Sequence, residues 1–209
     1  MEDNNRKKHW ETIYQNVPLD EMGWHQTKPV ASLNFLRQCH LPLSAKIIDV
    51  GGGDSLFVDY LLDAGYSEVT ILDVSETALA RAKKRLGPRA TKVNWVYSDV
   101  LNFQPTNKFD FWHDRATFHF LIDAGEIKNY LNTANRSVVP GGNLVIGTFS
   151  KQGPQKCSGL EITQYSEESI TDILQPYFKK NKCVPVDHKT PSGAVQNYIF
   201  CRFQKTTSV

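Results

Sequence analysis

Residues that could do chemistry cluster at the ends of short apolar runs. Ile47-Ile48-Asp49-Val50 ends in an acid and breaks into Gly51-Gly52-Gly53; Val69-Thr70-Ile71-Leu72 ends in Asp73, with Val74 beside it. Val93–Tyr97 is followed by Ser98-Asp99-Val100, and Phe109–Trp112 by His113-Asp114-Arg115, with His119 a helical turn further on. Consecutive glycines let a backbone turn sharply with its N–H groups uncovered, and a helix starting there adds converging amide dipoles. Such a turn suits a nucleotide. Asp73 lies 20 residues past Gly53, the spacing that brings a carboxylate to ribose hydroxyls. A carboxylate can accept from both hydroxyls, and Ser75 is already available as a helix cap. Asp99 is open to a ligand role or to service as a turn residue.

The elements that must hold these groups alternate between strand-like and helix-like patterns. After the glycines, Leu56, Phe57, Tyr60, Leu61 and Ala64 repeat at helical spacing from Asp54 until Gly65. Ala78, Leu79, Ala82 and Leu86 form the next helix, and Ile127, Tyr130, Leu131, Ala134 and Val138 mark another over Glu126–Val138. Pro140-Gly141-Gly142 is expected to be a tight turn before the strand Asn143–Phe149. A long polar loop, Ser150–Tyr165, precedes a helix over Ser166–Gln175. Lys182–His188 and Gln196–Phe203 then read as a hairpin across Pro191-Ser192-Gly193. Ligands of such α/β sheets sit outside the carboxyl ends of the strands, where the acids fall. At the start, residues 1–28 are amphipathic and then irregular, and Pro29 opens a helix. Trp10 and Tyr14 share a helical face; the segment either packs on the domain or closes over a site with Trp24, excluding water.

The 209 residues suit one α/β domain, with 40% apolar and 22% charged residues as in ordinary globular chains. A net charge of +2 argues against nucleic-acid binding. No apolar run is long enough for a membrane span, and the polar start lacks a signal-peptide core. Cys39, Cys157, Cys183 and Cys201 show no Cys-x-x-Cys spacing, so neither a zinc site nor a redox dithiol is indicated and a reducing, cytoplasmic setting is the expectation. No metal is expected. Cys157 reads as a buried or idle thiol, and His188 as structural or at a rim.

Leu56 stands where a dinucleotide fingerprint wants its last glycine, which counts against NAD. What remains, Asp49-x-Gly51-x-Gly53 followed by Asp73, Asp99 and Pro140-Gly141-Gly142, resembles the class I S-adenosylmethionine (SAM)-dependent methyltransferases from about residue 46 to the C-terminus. The resemblance implies a Rossmann-like, seven-stranded, mostly parallel sheet with helices on both faces and a reversed C-terminal edge strand. It implies one domain over 1–209, with a lid over 1–28 and a SAM-binding core over 29–209. The cofactor would be SAM, held by Asp49, Gly51, Gly52, Gly53, Asp73, Val74, Asp99, Val100 and His113, with Trp10 and Tyr14 from the lid. Asp99 would accept from the adenine amino group while the Val100 N–H reaches the ring.

The acceptor-side candidates are Asp114 and His119, to remove or hold a proton, and Arg115, to pair with Asp114 or grip an anion in its planar fork. His119 reads equally as a histidine buried among Phe118 and Phe120. Trp24-His25-Gln26 and Asp114-Arg115-Ala116 are similar to segments of thiopurine-type small-molecule methyltransferases. That likeness makes Trp24, His25 and Arg115 substrate-binding candidates and a soft nucleophile such as sulfur the acceptor. Protein lysine methylation and a SAM-binding module without turnover remain alternatives. No Asn-Pro-Pro-Tyr-like motif follows the fourth strand, which disfavours nucleic-acid amino groups, and the oligomeric state is left open.

Overall fold

The computed structural model describes residues 3–206; the ends of the expected 1–209 domain lie outside them. Helices are α1 (Asp3–Asn16), α2 (Val30–Arg37), α3 (Phe57–Asp63), α4 (Glu76–Leu86), α5 (Ala124–Ser137) and α6 (Glu167–Leu174). Strands are β1 (Lys46–Val50), β2 (Glu68–Asp73), β3 (Val93–Tyr97), β4 (Phe109–Arg115), β5 (Val138–Phe149), β6 (Lys156–Cys157), β7 (Leu160–Glu161), β8 (Phe178–Lys189) and β9 (Val195–Lys205). Seven of them form one sheet in the order β3-β2-β1-β4-β5-β9-β8. Pairing is parallel from β3 to β5; β9 runs against both β5 and β8. The expected fold class is therefore present.

Side chains of a strand alternate between faces, so a strand covered on both sides is apolar throughout. Ile48, Leu72, Trp112, Leu144 and Ile146 enter one core with Tyr130, Leu131 and Ala134 of α5 and Ile170 and Leu174 of α6. Their neighbours Ile47, Ile71, Phe111 and Val145 enter the other with Leu33 and Leu36 of α2, Phe57 and Leu61 of α3 and Leu79 of α4. The chain leaves β1 toward β2 and β3, then returns to β4 and β5 on the other side. That reversal opens a crevice at the carboxyl tips of β1 and β4.

Some local expectations change. Pro140-Gly141-Gly142 lies inside β5, because Val138 pairs with Phe109 directly after α5; the register shifts before Asn143, and Gly141 takes φ 75°. The loop Ser150–Tyr165 contains a small hairpin, β6–β7, turning through Ser158 and Gly159 with φ 51° and 78°, the positive values that suit a tight hairpin. Cys183 and Cys201 face each other across β8 and β9 and are disulfide-bonded, a pairing that linear spacing does not reveal. No helix among the described residues is long and apolar enough to cross a membrane.

The N-terminal segment is docked. Glu11 accepts from the backbone N–H groups of Glu76 and Thr77, capping α4 with a charge that suits its positive end. Arg81 donates to the Val17 carbonyl (2.9 Å). His188 meets the Gly23 carbonyl at 2.8 Å, so its Nε2 carries the hydrogen. His188 thus has a structural role.

Candidate active site

The glycine turn is shaped by its neighbours. Gly51 and Gly52 donate their N–H groups to the Leu72 carbonyl (2.7 and 3.3 Å), so these two amides fasten β1 to β2 and are not uncovered donors. Gly51 has φ 63°, and a Cβ there would lie 1.8 Å from Thr117 Oγ1. Gly53 has φ 48°, and a Cβ there would lie 2.5 Å from Tyr14 Oη and 3.2 Å from Asp73 Oδ2. The absent side chains make room for Thr117 on one side and for the lid tyrosine on the other.

Over the tips of β1, β2, β3 and β4 lies a partly open cavity. It brings together Gly51, Asp73, Val74, Asp99, Val100 and Arg115 with Trp10, Tyr14 and Trp24 of the N-terminal segment. Residues of the wall that sequence reasoning missed are Arg6, Ser98, Thr117, Phe120 and Leu121, and Cys157 joins them. Arg6 ends a polar helical turn and carries no signal by itself. Phe120 was legible only as part of an aromatic cluster.

Asp73 is buried; its Oδ1 accepts from Ser75 N–H at 2.8 Å. Burial raises its carboxyl to about 7, opposed by the Ser75 and Gly53 amides and reinforced by Asp54 and Asp49. Asp99 accepts from Leu101 N–H on Oδ1 (2.9 Å) and from Arg6 Nη1 on Oδ2 (2.7 Å), while Arg6 Nη2 reaches Glu126 at 2.6 Å. α1 is thereby tied to the carboxylate expected to meet adenine. Trp10, Trp24, Tyr14 and Phe120 form an aromatic wall, with Trp10 edge-on to Phe120 at 4.9 Å and to Trp24 at 5.8 Å.

Several expected site residues stand elsewhere. Asp49 and His113 are not in the cavity wall. Their side chains meet at 2.6 Å (His113 Nδ1 to Asp49 Oδ1), and His113 Nε2 meets Ser32 Oγ of α2 at 2.8 Å. His113 is a fastener between β1 and α2, which corrects its assignment as a cofactor contact. Asp114 is fully buried on the opposite face from Arg115. Its oxygens accept from Thr117 and Phe118 N–H (both 3.1 Å) and from Tyr130 Oη (2.7 Å). Burial raises it to about 6, but its contacts hold the turn after β4, where Ala116 sits at φ 65°, and tie β4 to α5; a proton-moving role is corrected to a positioning one.

His119 is fully buried and stacked on Phe149 at 4.5 Å. Burial, then Arg115, lowers it to about 3, so it stays neutral, and it does not line the cavity. His25 lies outside as well, in a surface groove with Gln26, Asp187 and His188. Arg115 does not pair with Asp114, because successive strand side chains point to opposite faces. It donates from Nη1 to the Trp24 carbonyl (2.8 Å) and lies 5.2 Å from the Tyr198 ring centre. Cys157 is held up at about 11 by burial and stays a thiol. Among the described residues no group of three His, Cys, Asp or Glu side chains could hold a metal ion.

The fold is Rossmann-like, with a cavity over the carboxyl tips of its parallel strands. Residues 47–142 match the family described as a methyltransferase domain. Among curated proteins, malonyl-[acyl-carrier protein] O-methyltransferase 1 of Ilyobacter polytropus is 29% identical over 146 residues, 69% of this chain and 49% of that protein. EEF1A lysine methyltransferase 2 of Mus musculus is 27% identical over 128 residues, 57% of this chain and 49% of that one. The chain thus spans about half the length of these curated relatives. In fold it is similar to the 1,6-didemethyltoxoflavin-N1-methyltransferase of Burkholderia thailandensis, solved with its substrate and S-adenosylhomocysteine (SAH): TM-score 0.76, 21% identity, 97% of this chain and 88% of that one.

Proposed function

We propose that this chain transfers the methyl group of SAM to a small-molecule nucleophile. One observation carries the reading: Asp73, Asp99 and Gly51 line one cavity with Arg115, Trp24 and Phe120, so a donor half and an acceptor half face one space. The residues fit SAM. A buried carboxylate at the β2 tip gains hydroxyl donors from a ribose, the Asp99–Val100 edge suits an adenine, and the side-chain-free turn leaves room for the amino-acid end. When bound, SAM supplies a methyl group already activated by a positively charged sulfur.

The chain's own residues then align and exclude water. The Trp10, Trp24 and Phe120 rings favour a cationic neighbour through their faces and keep the space dry. With Asp114 and His119 outside the wall, no side-chain base of the expected kind meets the acceptor. This favours an acceptor that is nucleophilic without one, such as a thiolate or carboxylate. The small-molecule reading gains support from the fold neighbour with toxoflavin-type substrate. Protein lysine methylation is the second reading, favoured by the lysine methyltransferase relative but opposed by the docked α1 and Trp24, which cover the route a peptide would need. A single α/β domain belongs to this reading; the Cys183–Cys201 bond weighs against the reducing, cytoplasmic setting expected from the cysteine spacing.

Calorimetric titration with SAM, SAH and NADH, followed by labelled-methyl transfer to thiols, carboxylates, amines and purified proteins, tests it. Micromolar SAH binding with turnover of a small acceptor is expected. Binding of NADH in place of SAH sinks the reading, and SAH binding without turnover of any acceptor leaves a binding module.

A further inference from the structure

Arg115 is the one acceptor-side residue whose hydrogen-bonding capacity is half used. Nη1 is tied to the Trp24 carbonyl, whereas Nε and Nη2 are shut off from water with no partner among the described residues. Those two nitrogens form one edge of the guanidinium. Their N–H bonds run parallel, the arrangement that meets both oxygens of a planar carboxylate at once.

The surroundings make a buried cation without an answering anion. Tyr198 lies under the guanidinium, and its own hydroxyl is also buried and unpartnered. Burial pushes Tyr198 to about 12 and Cys157 to about 11, so both stay neutral, and His119 stays neutral from the other side. The nearest carboxylate acting on Arg115 is Asp49, already engaged by His113, and Asp114 faces away. Leaving charged donors buried and unpaired is costly, and among the described residues no carboxylate pairs with these two nitrogens.

We infer that the Nε–Nη2 edge of Arg115 is the seat of a carboxylate on the methyl acceptor, so that the substrates of this chain are small carboxylic acids. The inference rests on the methyltransferase reading and deepens it. A single fork with no second cation beside it matches a planar monoanion better than a phosphate dianion. The seat is also coupled to closure, because the same guanidinium holds the Trp24 carbonyl of the covering segment. Arg115 is a binding residue in this account, whichever atom of the acceptor receives the methyl group.

The test uses the full chain saturated with SAH, titrated calorimetrically with acetate and acetamide, benzoate and benzamide, and phenyl phosphate. At least one carboxylate is expected to bind tenfold or more tightly than its amide and than phenyl phosphate. Arg115→Gln should abolish that preference with the melting temperature little changed, and Arg115→Lys should restore little of it, lacking the planar fork. Equal binding of acids and amides by wild type overturns the inference even if a variant misfolds. So does tighter binding of phenyl phosphate, or a carboxylate preference that survives in Arg115→Gln. Failure of wild type to bind SAH overturns the underlying methyltransferase reading as well, which separates the two outcomes.

Discussion

The two halves of the cavity are built on different plans. On the donor side the wall is made of the bent backbone after β1 and one acid at the end of each of β2 and β3, each close to its strand in sequence. On the acceptor side, Arg115, Trp24, Phe120, Cys157 and the Tyr198 behind them come from β4, the N-terminal segment, β6 and β9, and meet only through the fold. The neighbouring carboxylates Asp73 and Asp114 sharpen the contrast. Both are buried and both are raised by burial, yet one faces the cavity with capacity to spare and the other is fully occupied in holding a turn. A strand-tip acid is a ligand contact or an architectural one according to the face it takes, and its pKa does not distinguish them.

The largest effect should come from joining the halves by force. Gly51→Val sets a Cβ against Thr117 and a branched residue at positive φ, for a combined cost of about 2–5 kcal/mol. SAH titration should show binding lost, with the melting temperature lowered as well. Gly51→Ala combined with Thr117→Ala should recover part of both; no recovery would detach the glycine from the β4 turn. Next, Asp114→Ala removes three accepted hydrogen bonds and should cost about 2 kcal/mol of stability, read as a lower melting temperature. Asp73→Ala should instead weaken SAH binding by about 1–3 kcal/mol with the fold intact. If Asp73→Ala melts the protein and Asp114→Ala spares it, the contrast is reversed.

A pH series separates the halves further. Asp73 is raised from 3.8 to about 7, so the folded chain binds the extra proton. Its stabilising effect is complete below about pH 4 and is lost as pH rises toward 7, by up to about 1.4 kcal/mol per pH unit. His119 is lowered from 6.5 to about 3, so its contribution is present above pH 6.5 and lost as pH falls. The two slopes oppose each other between pH 4 and 6.5. Denaturant midpoints should show Asp73→Asn flattening the rise-with-acid limb and His119→Phe flattening the opposite one. The smallest effect is Arg6→Ala, which unlatches α1 from Asp99 and Glu126 and should speed SAH dissociation by about tenfold with little change in melting temperature.

The donor side was legible because strand, turn and acid follow one another locally: Asp73, Asp99 and Gly51 fall in the wall as spacing implies. Asp49 follows the same pattern but turns toward His113, a choice made by α2 through Ser32, 81 residues away from His113. The acceptor side was legible in composition and illegible in direction. His113-Asp114-Arg115 sits at the right strand end; alternation turns Asp114 away, and of the two that share a face His113 is taken up by Asp49 and Ser32, which leaves Arg115 in the cavity wall. His119 shows the aromatic alternative prevailing. Arg6 could not be singled out, since its partners lie 93 and 120 residues downstream.

With Arg6 bonded to Asp99 and the Trp24 carbonyl bonded to Arg115, the first two dozen residues form a door hinged on neither jamb and bolted to both. A reaction in this cavity that requires the segment to lift has to break both bonds, and the rate of that undocking then caps turnover.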